Sequence, residues 1–374
     1  IKYAVIDGIF FEELGFKYIG PVDGHNIKEM CETLELAKGF QGPVLIHAVT
    51  KKGKGYSKAE ENPALFHGIG AFDVDTGKPA KKASGKSYSA VFGDKLTEMA
   101  GKDKRIAAIT AAMVDGVGLE GFAKKYPKRY FDVGIAEQHG VTFAAGLAKA
   151  GLRPYFAVYS SFLQRGYDQM IEDVCIHRLP VTFCIDRAGV VGADGETHHG
   201  IFDMSYLKNM PGMTVFAPKD GPELELMLEK SLEIEGPVAI RYPRGTAVDL
   251  GKTGTCNPGE SLKMRDGSGV EIWAAGAFVS QAMEAAEILA GENIDCSVVS
   301  IASIKPLDEE AILRAGQQYP LIVTVEDGII SGGIGESIKA LLADSEAKVI
   351  NMGWPEKFIE HGTQQQLYEK YGLD

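Results

Sequence analysis

A glutamate near the middle of the chain stands where an enzyme could use a carboxylate. Residues 132–151, DVGIAEQHGVTFAAGLAKAG, begin like a strand, pass Gly134 and continue from Glu137 into a helical stretch rich in small residues. A first-turn glutamate after a strand lies at the strand's carboxyl end, where open α/β sheets bind their ligands. A glutamate that only complements the helix dipole would occupy the same position. Spacing alone therefore leaves two interpretations of Glu137 open.

An aromatic and basic run follows the next predicted strand. Residues 159–167, YSSFLQRGY, place Tyr159, Phe162 and Arg165 at that strand's carboxyl end. An aromatic ring there could stack on the flat ring of a cofactor, although such rings more often belong to the core. Both interpretations remain open from the spacing.

A third polar run, residues 186–199, reads DRAGVVGADGETHH and follows the apolar stretch VTFCI. A glycine-rich polar loop directly after a buried strand is costly to order without a ligand, although a solvated turn would have a similar composition. Arg187 could bind an anion through two hydrogen bonds. His198 or His199 could transfer protons near neutral pH, and chemistry alone does not choose between them.

Three further segments could bind phosphate. Arg241 and Arg244, in RYPRG, follow another strand and could form either a phosphate clamp or surface salt bridges. Lys54, in KGKGY, could approach a phosphate, but its segment does not match the nucleotide P-loop pattern. The turn SGGIG at 331–335 resembles a phosphate-binding turn, and tight packing of a helix on a strand would explain its glycines equally well.

All of these residues follow short β-branched runs that alternate with amphipathic stretches, a pattern typical of an α/β fold with parallel sheets and helices on both faces. Polar residues that follow several strands of such a sheet converge at one edge, which predicts an enzyme site for a phosphorylated substrate. Strands are predicted at 44–49, 106–110, 155–158, 181–185, 213–216, 238–242, 270–275, 296–301, 321–325 and 348–352.

Two changes in composition predict domain boundaries. Residues 78–86, KPAKKASGK, are basic and turn-rich, and residues 249–268 are polar and glycine-rich without a helical period. Three blocks result, 1–83, 84–255 and 256–374. The first contains one clear strand with a helix before it, so we expect it to be the end of a larger domain whose front is absent.

The overall composition excludes several classes of protein. The 374 residues carry a formal net charge of −12, which argues against a general nucleic-acid or membrane-surface binder. No apolar run reaches the roughly 18 residues of a membrane span, and we expect a cytoplasmic protein. The five cysteines are scattered, as in reduced intracellular proteins, and the eight histidines lack zinc-site spacing, so no protein-built metal site is predicted.

Taken together, these motifs resemble the 1-deoxy-D-xylulose-5-phosphate synthase family of transketolase-like thiamine diphosphate enzymes. The resemblance covers essentially the whole chain and implies a pyrimidine-binding domain followed by a transketolase C-terminal-like domain. The segments that carry it are FEELGFKYIGPVDGH (11–25), KGKGY (52–56), FDVGIAEQH (131–139), YSSFLQRGYDQ (159–169), IDRAGVVGADGETHHG (185–200) and RYPRG (241–245).

The resemblance implies cofactor contacts that spacing does not establish. It assigns Glu137 as the carboxylate that hydrogen-bonds a ring nitrogen in the aminopyrimidine of thiamine diphosphate. Phe162 would stack on the same ring, Tyr56 would line the cofactor site and Lys54 would lie near the diphosphate.

The resemblance also implies the substrates, pyruvate and glyceraldehyde 3-phosphate, and the product 1-deoxy-D-xylulose 5-phosphate. It selects His198 rather than His199 as the residue that transfers a proton or orients a hydroxyl. The residues implied around the substrate are Tyr159, Arg165, Arg187, Asp194, Arg244 and His67.

In one respect the sequence departs from the family pattern. The family holds the diphosphate and Mg²⁺ with a G-D-G motif followed some 25–30 residues later by Asn, and this sequence lacks that combination. We therefore expect the metal ligands in a missing N-terminal portion, which would be a partner of this chain. The resemblance also implies a homodimer.

Two alternatives remain beside a synthase site completed by an N-terminal portion. The chain could be a β-type subunit of another thiamine enzyme, such as a split transketolase or a 2-oxoacid dehydrogenase, although the arginines and GADGETHHG disfavour this. It could also be an inactive fragment that folds and dimerises but binds no cofactor.

Overall fold

The computed structural model describes residues 8–63, 65–78 and 85–374. The chain divides into two compact units, Ile1–Ala83 and Ser84–Asp374. Most of the predicted linker at 78–86, namely residues 79–84, lies outside the described residues.

The first unit contains a βαβ arrangement. Its two strands pair in parallel, and Asn26 begins the helix between them by accepting a hydrogen bond from the backbone N–H of Glu29 at 3.3 Å. The sequence predicted only the second strand, because Gly20 and Pro21 interrupt the apolar pattern of the first. The elements are α1 (Ile9–Glu13), β1 (Lys17–Asp23), α2 (Ile27–Lys38), β2 (Val44–Val49) and α3 (Ser57–Glu61).

The second unit begins with a sheet of six parallel strands, in the order β7-β8-β6-β5-β3-β4. The strands β3, β5 and β6 at its centre are buried almost throughout, as expected for a sheet covered on both faces. The six strands are β3 (Ile106–Thr110), β4 (Tyr130–Asp132), β5 (Arg153–Tyr159), β6 (Thr182–Asp186), β7 (Thr214–Phe216) and β8 (Val238–Arg241).

Helices connect these strands and cover the sheet. Ser87 begins the helix Tyr88–Lys102, and Asp220 begins the helix Gly221–Ser231. Each side chain accepts a hydrogen bond from the backbone N–H of the residue three positions further along the chain. A 3₁₀ turn (Gln164–Gly166) and a π-helical segment (Met170–Cys175) continue the short helices after β5. The α-helices are α4 (Tyr88–Lys102), α5 (Glu120–Lys125), α6 (Glu137–Lys149), α7 (Ser160–Leu163), α8 (Tyr167–Gln169), α9 (Asp203–Lys208) and α10 (Gly221–Ser231).

The remainder of the second unit forms a five-stranded sheet, in the order β14-β13-β10-β11-β9, with β9 antiparallel to its neighbour. Its strands are β9 (Leu262–Arg265), β10 (Val270–Ala275), β11 (Cys296–Ile301), β13 (Leu321–Ile329) and β14 (Lys348–Trp354). Its helices are α11 (Phe278–Gly291), α12 (Glu309–Gln318), α13 (Ile334–Leu341) and α14 (Gln364–Tyr371).

One strand from this C-terminal part joins the other sheet. Strand β12 (Ser303–Lys305) pairs antiparallel with β7 and becomes the seventh strand of the first sheet. The sequence predicted neither β9 nor β12, which are short and form sheet edges. Because β9 lies inside the segment 249–268, where a domain boundary was predicted, residues 262–265 of that segment belong to a sheet rather than to a connection. No helix among the described residues is long and apolar enough to cross a membrane.

Candidate active site

The carboxyl ends of β4, β5 and β6, three strands of the same parallel sheet, position the candidate site in the second unit. Helix α6 follows β4, α7 follows β5, and a loop of residues 187–200, which we call the β6 loop, follows β6. Because these strands are parallel, their carboxyl ends meet at one edge of the sheet. The elements that carry most of the predicted residues therefore begin beside one another.

Glu137 is the first residue of α6 and is only 2% exposed. Its Oε2 lies 2.9 Å from Nε of Arg165, whose side chain is 55% exposed. The geometry does not make this contact a hydrogen bond, and among the described residues none donates a hydrogen bond to the buried Oε2. A buried carboxylate oxygen that accepts no hydrogen bond can take a donor from a ligand, beside the arginine charge that already compensates it. Arg165, predicted as a substrate contact, is therefore an ion-pair partner of Glu137 in this structure.

Three of the predicted residues, Tyr159, Phe162 and His198, form a row in which the Phe162 ring contacts the other two rings. The Tyr159 and Phe162 ring centroids are 5.5 Å apart with planes inclined by 24°, and the Phe162 and His198 centroids are 5.3 Å apart at 68°. Phe162 thus lies between the end of β5 and the β6 loop. This arrangement forms an aromatic wall at the sheet edge.

Arg187 packs on the Tyr159 ring. Its guanidinium carbon lies 3.8 Å from the Tyr159 ring centroid. Its Nη1 donates to the carbonyl of Gly116 at 2.9 Å and to Oδ1 of Asp186 at 3.1 Å. Asp186 also accepts from the Ser89 hydroxyl at 2.6 Å. Burial raises the pKa of Asp186 to about 6, although Arg187 and Ser89 act in the opposite direction.

Arg244 and Asp194 form a partly exposed ion pair beside these residues. Arg244 Nη1 lies 2.7 Å from Asp194 Oδ2, and both side chains are partly exposed, at 44% and 41%. Burial raises the pKa of Tyr159, while the charges of Arg187 and Arg244 lower it and that of Asp194 raises it. Two of the three arginines predicted as possible anion binders, Arg187 and Arg244, therefore act on one tyrosine. An open concavity of about 430 Å³ lies beside them, lined by residues 193–197 and His361.

The two adjacent histidines of the β6 loop have different environments. His199 is buried, its Nδ1 accepts from the backbone N–H of Val191 at 3.1 Å, and its Nε2 lies 3.2 Å from the carbonyl oxygen of Glu360. This pattern requires a neutral ring with the proton on Nε2. Burial also lowers the pKa of His199. His198 is half-buried and bonds locally to the Thr197 hydroxyl at 2.8 Å, so it is the histidine that remains able to contact a ligand.

The remaining predicted residues belong to the first unit. Tyr56 donates its hydroxyl to the carbonyl of Val74 at 2.7 Å and packs against Phe66 and Phe72, at 5.4 and 5.9 Å between centroids. Lys54 and His67 are exposed. The cofactor and substrate roles of these three residues remain predictions.

The backbone N–H groups of the SGGIG turn are hydrogen-bonded to a side chain of the same chain. Glu326 accepts hydrogen bonds from the backbone N–H groups of Ile334 and Gly335, both at 2.9 Å. A Cβ on Gly333 would lie 2.4 Å from a Glu326 oxygen. The turn therefore binds an internal carboxylate, and of the two interpretations the structural one is correct.

Two residues beside the site were not predicted from the sequence. Asp186 and Gly116 hold Arg187, and a Cβ on Gly116 would lie 1.9 Å from the Tyr159 hydroxyl oxygen. The Asp-Arg pair at the end of β6 is a usable signal for the first, whereas nothing local marks Gly116. Among the described residues, no group of three or more His, Cys, Asp or Glu side chains could hold a metal ion.

Comparison with known families assigns each part of the chain. Residues 84–248 match the family described as "Transketolase, pyrimidine binding domain", and residues 259–374 match "Transketolase, C-terminal domain". Residues 1–50 match the family described as "1-deoxy-D-xylulose-5-phosphate synthase". The three matches follow the order that the motifs predicted.

Curated relatives match over the full length of this chain. It is 53% identical to a 1-deoxy-D-xylulose-5-phosphate synthase of Caldanaerobacter subterraneus subsp. tengcongensis and 51% identical to 1-deoxy-D-xylulose-5-phosphate synthase 1 of Geobacter metallireducens. In each comparison the match covers 100% of this chain and 61% of the relative. The chain thus spans about three-fifths of the length of these relatives.

Solved structures show the same fold. A chain from a split-gene transketolase, solved as an inactive β4 tetramer, matches with a TM-score of 0.70 and 30% identity, over 78% of this chain and 94% of that one. Transketolase from Campylobacter jejuni matches with a TM-score of 0.66 and 18% identity, over 100% of this chain and 68% of that one. Fold, site and matches together show that the chain belongs to the transketolase family. Its predicted resemblance to the 1-deoxy-D-xylulose-5-phosphate synthases within that family is confirmed.

Proposed function

We propose that this chain carries part of the active site of a 1-deoxy-D-xylulose-5-phosphate synthase. The reaction is decarboxylation of pyruvate and joining of the remaining two carbons to glyceraldehyde 3-phosphate, which gives 1-deoxy-D-xylulose 5-phosphate and CO₂. The observation that carries the proposal is Glu137, a buried carboxylate at the sheet edge that also holds Arg187 and Arg244, with an oxygen that accepts no hydrogen bond from the described residues. The proposed activity is that of a whole enzyme of which this chain is one part, because the chain spans only 61% of the length of its relatives.

Glu137 fits a thiamine pyrimidine ring. Its Oε2, which accepts no hydrogen bond from the described residues, can share a proton with a ring nitrogen, and a hydrogen bond of this kind is stronger in a dry site than in water. Bound thiamine diphosphate supplies the chemistry by which a 2-oxo acid loses CO₂ and its two-carbon remainder is transferred. Phe162 presents a ring that can stack on the cofactor, and Arg165 keeps a positive charge beside the carboxylate. Glu137 and His198 are the proposed catalytic residues.

The substrate phosphate is proposed to bind at Arg187 and Arg244. Arg244 pairs with Asp194 in a partly exposed contact, and a phosphate could replace or join that partner. Arg187 is held by Gly116 and Asp186 through one nitrogen, Nη1. Tyr159 contacts both the Arg187 guanidinium and the Phe162 ring, and His198 contacts the Phe162 ring, where it can move a proton to or from the substrate.

Further parts of the proposal rest on the resemblance. Lys54, Tyr56 and His67 are proposed to contact cofactor or substrate, and Mg²⁺ is proposed to accompany the diphosphate, with its ligands in an N-terminal portion of the enzyme. A homodimer and a cytoplasmic location are also proposed.

A fusion tests the function directly. The part of the Caldanaerobacter synthase that precedes the matched region is joined to this chain, and product formation is followed with ¹³C-labelled pyruvate, thiamine diphosphate and Mg²⁺. We expect labelled 1-deoxy-D-xylulose 5-phosphate only when glyceraldehyde 3-phosphate is present. A well-folded fusion that binds cofactor but forms no such product would contradict the proposal.

A second candidate is a β-type subunit of a split transketolase. The 30% identity over 94% of a split-gene transketolase chain favours it. The same assay separates the two, because a transketolase would use a ketose phosphate as donor in place of pyruvate.

A further inference from the structure

The β6 loop is attached to the C-terminal part of the chain at several points. The carbonyl of Glu360 faces His199 Nε2 at 3.2 Å. A Cβ on Gly192 would lie 3.0 Å from the carbonyl oxygen of Gly362, and one on Gly195 would lie 3.3 Å from the Cβ of His361. The loop that carries Asp194 and His198 thus lies against the segment between β14 and α14.

The strongest attachment is at Val190, whose two backbone polar groups both bond to C-terminal side chains. Its N–H donates to Oδ1 of Asp327 at 3.2 Å, and its carbonyl accepts from Nε2 of Gln364 at 2.6 Å. Gly189 precedes it at φ +78°, and a Cβ there would lie 1.6 Å from Asp327 Oδ2. Only glycine allows the backbone to approach this carboxylate so closely.

Asp327 is itself fixed in place. Its Oδ1 accepts from Trp354 Nε1 at 2.6 Å, and its carbonyl accepts from Arg241 Nη2 at 3.0 Å. Arg241 Nε donates to Asp203 at 3.0 Å, and Asp203 accepts from the Ser160 hydroxyl at 3.0 Å. All five side chains are buried. One buried network therefore supports both the β6 loop and the start of α7, the helix that carries Phe162.

We propose that Asp327 and Gln364 are positioning residues, which hold the β6 loop through Val190 in the conformation that presents Asp194 and His198 to the phosphorylated substrate. This step rests on the proposed function, because the loop is the proposed binding site. The C-terminal domain then contributes to substrate binding without contacting the reacting atoms. The predicted consequence is selective, since pyruvate is not held by this loop's phosphate-binding residues.

The test compares two adjacent glutamines of α14. Gln364→Ala removes the donor to Val190, whereas Gln365→Ala removes a side chain that bonds only to Glu369 on the same helix, at 3.0 Å. Gln364→Glu is a second variant of the same size, which at neutral pH cannot donate to the carbonyl. Amide hydrogen exchange of residues 187–200 is measured on this chain, and steady-state kinetics are measured on the fusion.

We expect both Gln364 variants to exchange the loop amides about tenfold faster and to raise the KM for glyceraldehyde 3-phosphate about fivefold, the effect of one lost hydrogen bond. The KM for pyruvate should stay within about twofold, and Gln365→Ala should match the parent. Unchanged exchange in Gln364→Ala would overturn the attachment. Faster exchange would still overturn the positioning role if the KM values for glyceraldehyde 3-phosphate and pyruvate were both unchanged, or if both rose equally. A parent fusion without product contradicts the proposed function instead, and the exchange experiment still decides the attachment.

Discussion

Glu137 differs in burial from Glu120, an acidic residue that begins another helix of the second unit. Glu120 occupies the first turn of α5 and is exposed, whereas Glu137 is 2% exposed and has an oxygen without a hydrogen-bond partner. A helix dipole is complemented well by an exposed carboxylate and does not require burial. Burial without a full set of hydrogen bonds lowers stability, and such residues cluster at functional sites. The structure thus favours the functional interpretation that spacing left open.

Arg244 provides a prediction about substrate discrimination. Arg244→Ala should raise the KM for glyceraldehyde 3-phosphate by about ten- to a hundredfold, since a charged hydrogen bond contributes about 1.5–3 kcal/mol. The KM for pyruvate should change much less. Steady-state kinetics of the fusion with each substrate varied in turn provide the measurement. Arg314→Ala is the matched control, because Arg314 pairs with Glu310 on the surface of α12. Equal increases for both substrates would exclude a phosphate clamp at Arg244.

At the scale of elements, the β6 loop combines a proposed binding role with a histidine that must remain neutral. The Val191 N–H points at Nδ1 of His199, so protonation of that nitrogen would remove the acceptor and place two donors face to face. The loop therefore depends on the protonation state of a residue that does not itself contact the substrate.

This dependence predicts a response to pH. Burial lowers the pKa of His199 below its ordinary value of 6.5, so the unfolded or loosened state binds a proton more readily than the folded one. Its stabilising contribution is complete above pH 6.5 and is lost as the pH falls below that value. Amide exchange of residues 187–200 should therefore accelerate between pH 7 and pH 5.5, after correction for the intrinsic rate.

His199→Gln should abolish the additional acceleration, whereas His177→Gln, at an exposed histidine, should retain it. Identical pH profiles for the parent and His199→Gln would show that this histidine does not control the loop.

The sequence was most informative for buried, continuous elements. Strands β3, β10 and β11 have the predicted bounds, because each is a run of mainly apolar and β-branched residues, without glycine or proline, in a buried sheet. The strands it missed are β1, interrupted by Gly20 and Pro21, and the short edge strands β4, β9 and β12. Pairing of such short edges depends on partners distant in the chain, which periodicity does not reveal.

The same distinction applies to the site. Placement of Glu137, Tyr159 and Arg187 after strands followed from the alternation of strands and helices. The difference between His198 and His199 did not, because the carbonyl of Glu360, 161 positions away, is one of the groups that fixes His199. The support of the β6 loop by Asp327 was likewise inaccessible to local reasoning.

At the scale of the whole molecule, a buried polar network joins the two sheets of the second unit. Asp203 and Arg241 belong to the part that matches the pyrimidine-binding family, and Asp327 and Trp354 belong to the part that matches the C-terminal family. Strand β12 adds a backbone connection by pairing with β7. These contacts predict that the two parts of Ser84–Asp374 unfold together.

Removal of one charge from this network should be strongly destabilising. Asp203→Ala leaves Arg241, which is 4% exposed, without its ion-pair partner, and breaking a buried pair in this way typically lowers stability by about 3–5 kcal/mol. Urea denaturation followed by circular dichroism measures the change. Asp344→Ala, at an exposed aspartate after α13, should shift the midpoint by less than the equivalent of about 0.5 kcal/mol. A loss below about 1 kcal/mol in Asp203→Ala would mean that the network contributes little to holding the two sheets together.

The most direct test of the account is the formation of 1-deoxy-D-xylulose 5-phosphate by the fusion with Glu137→Gln. Glutamine keeps the size of the side chain but cannot share a proton as a carboxylate does, so turnover should fall at least about a hundredfold while thermal stability is kept. Glu120→Gln, at the exposed first-turn position of α5, should retain parental turnover. Near-parental product formation by Glu137→Gln, in a folded protein saturated with thiamine diphosphate, would contradict the central claim that this buried carboxylate serves the reaction.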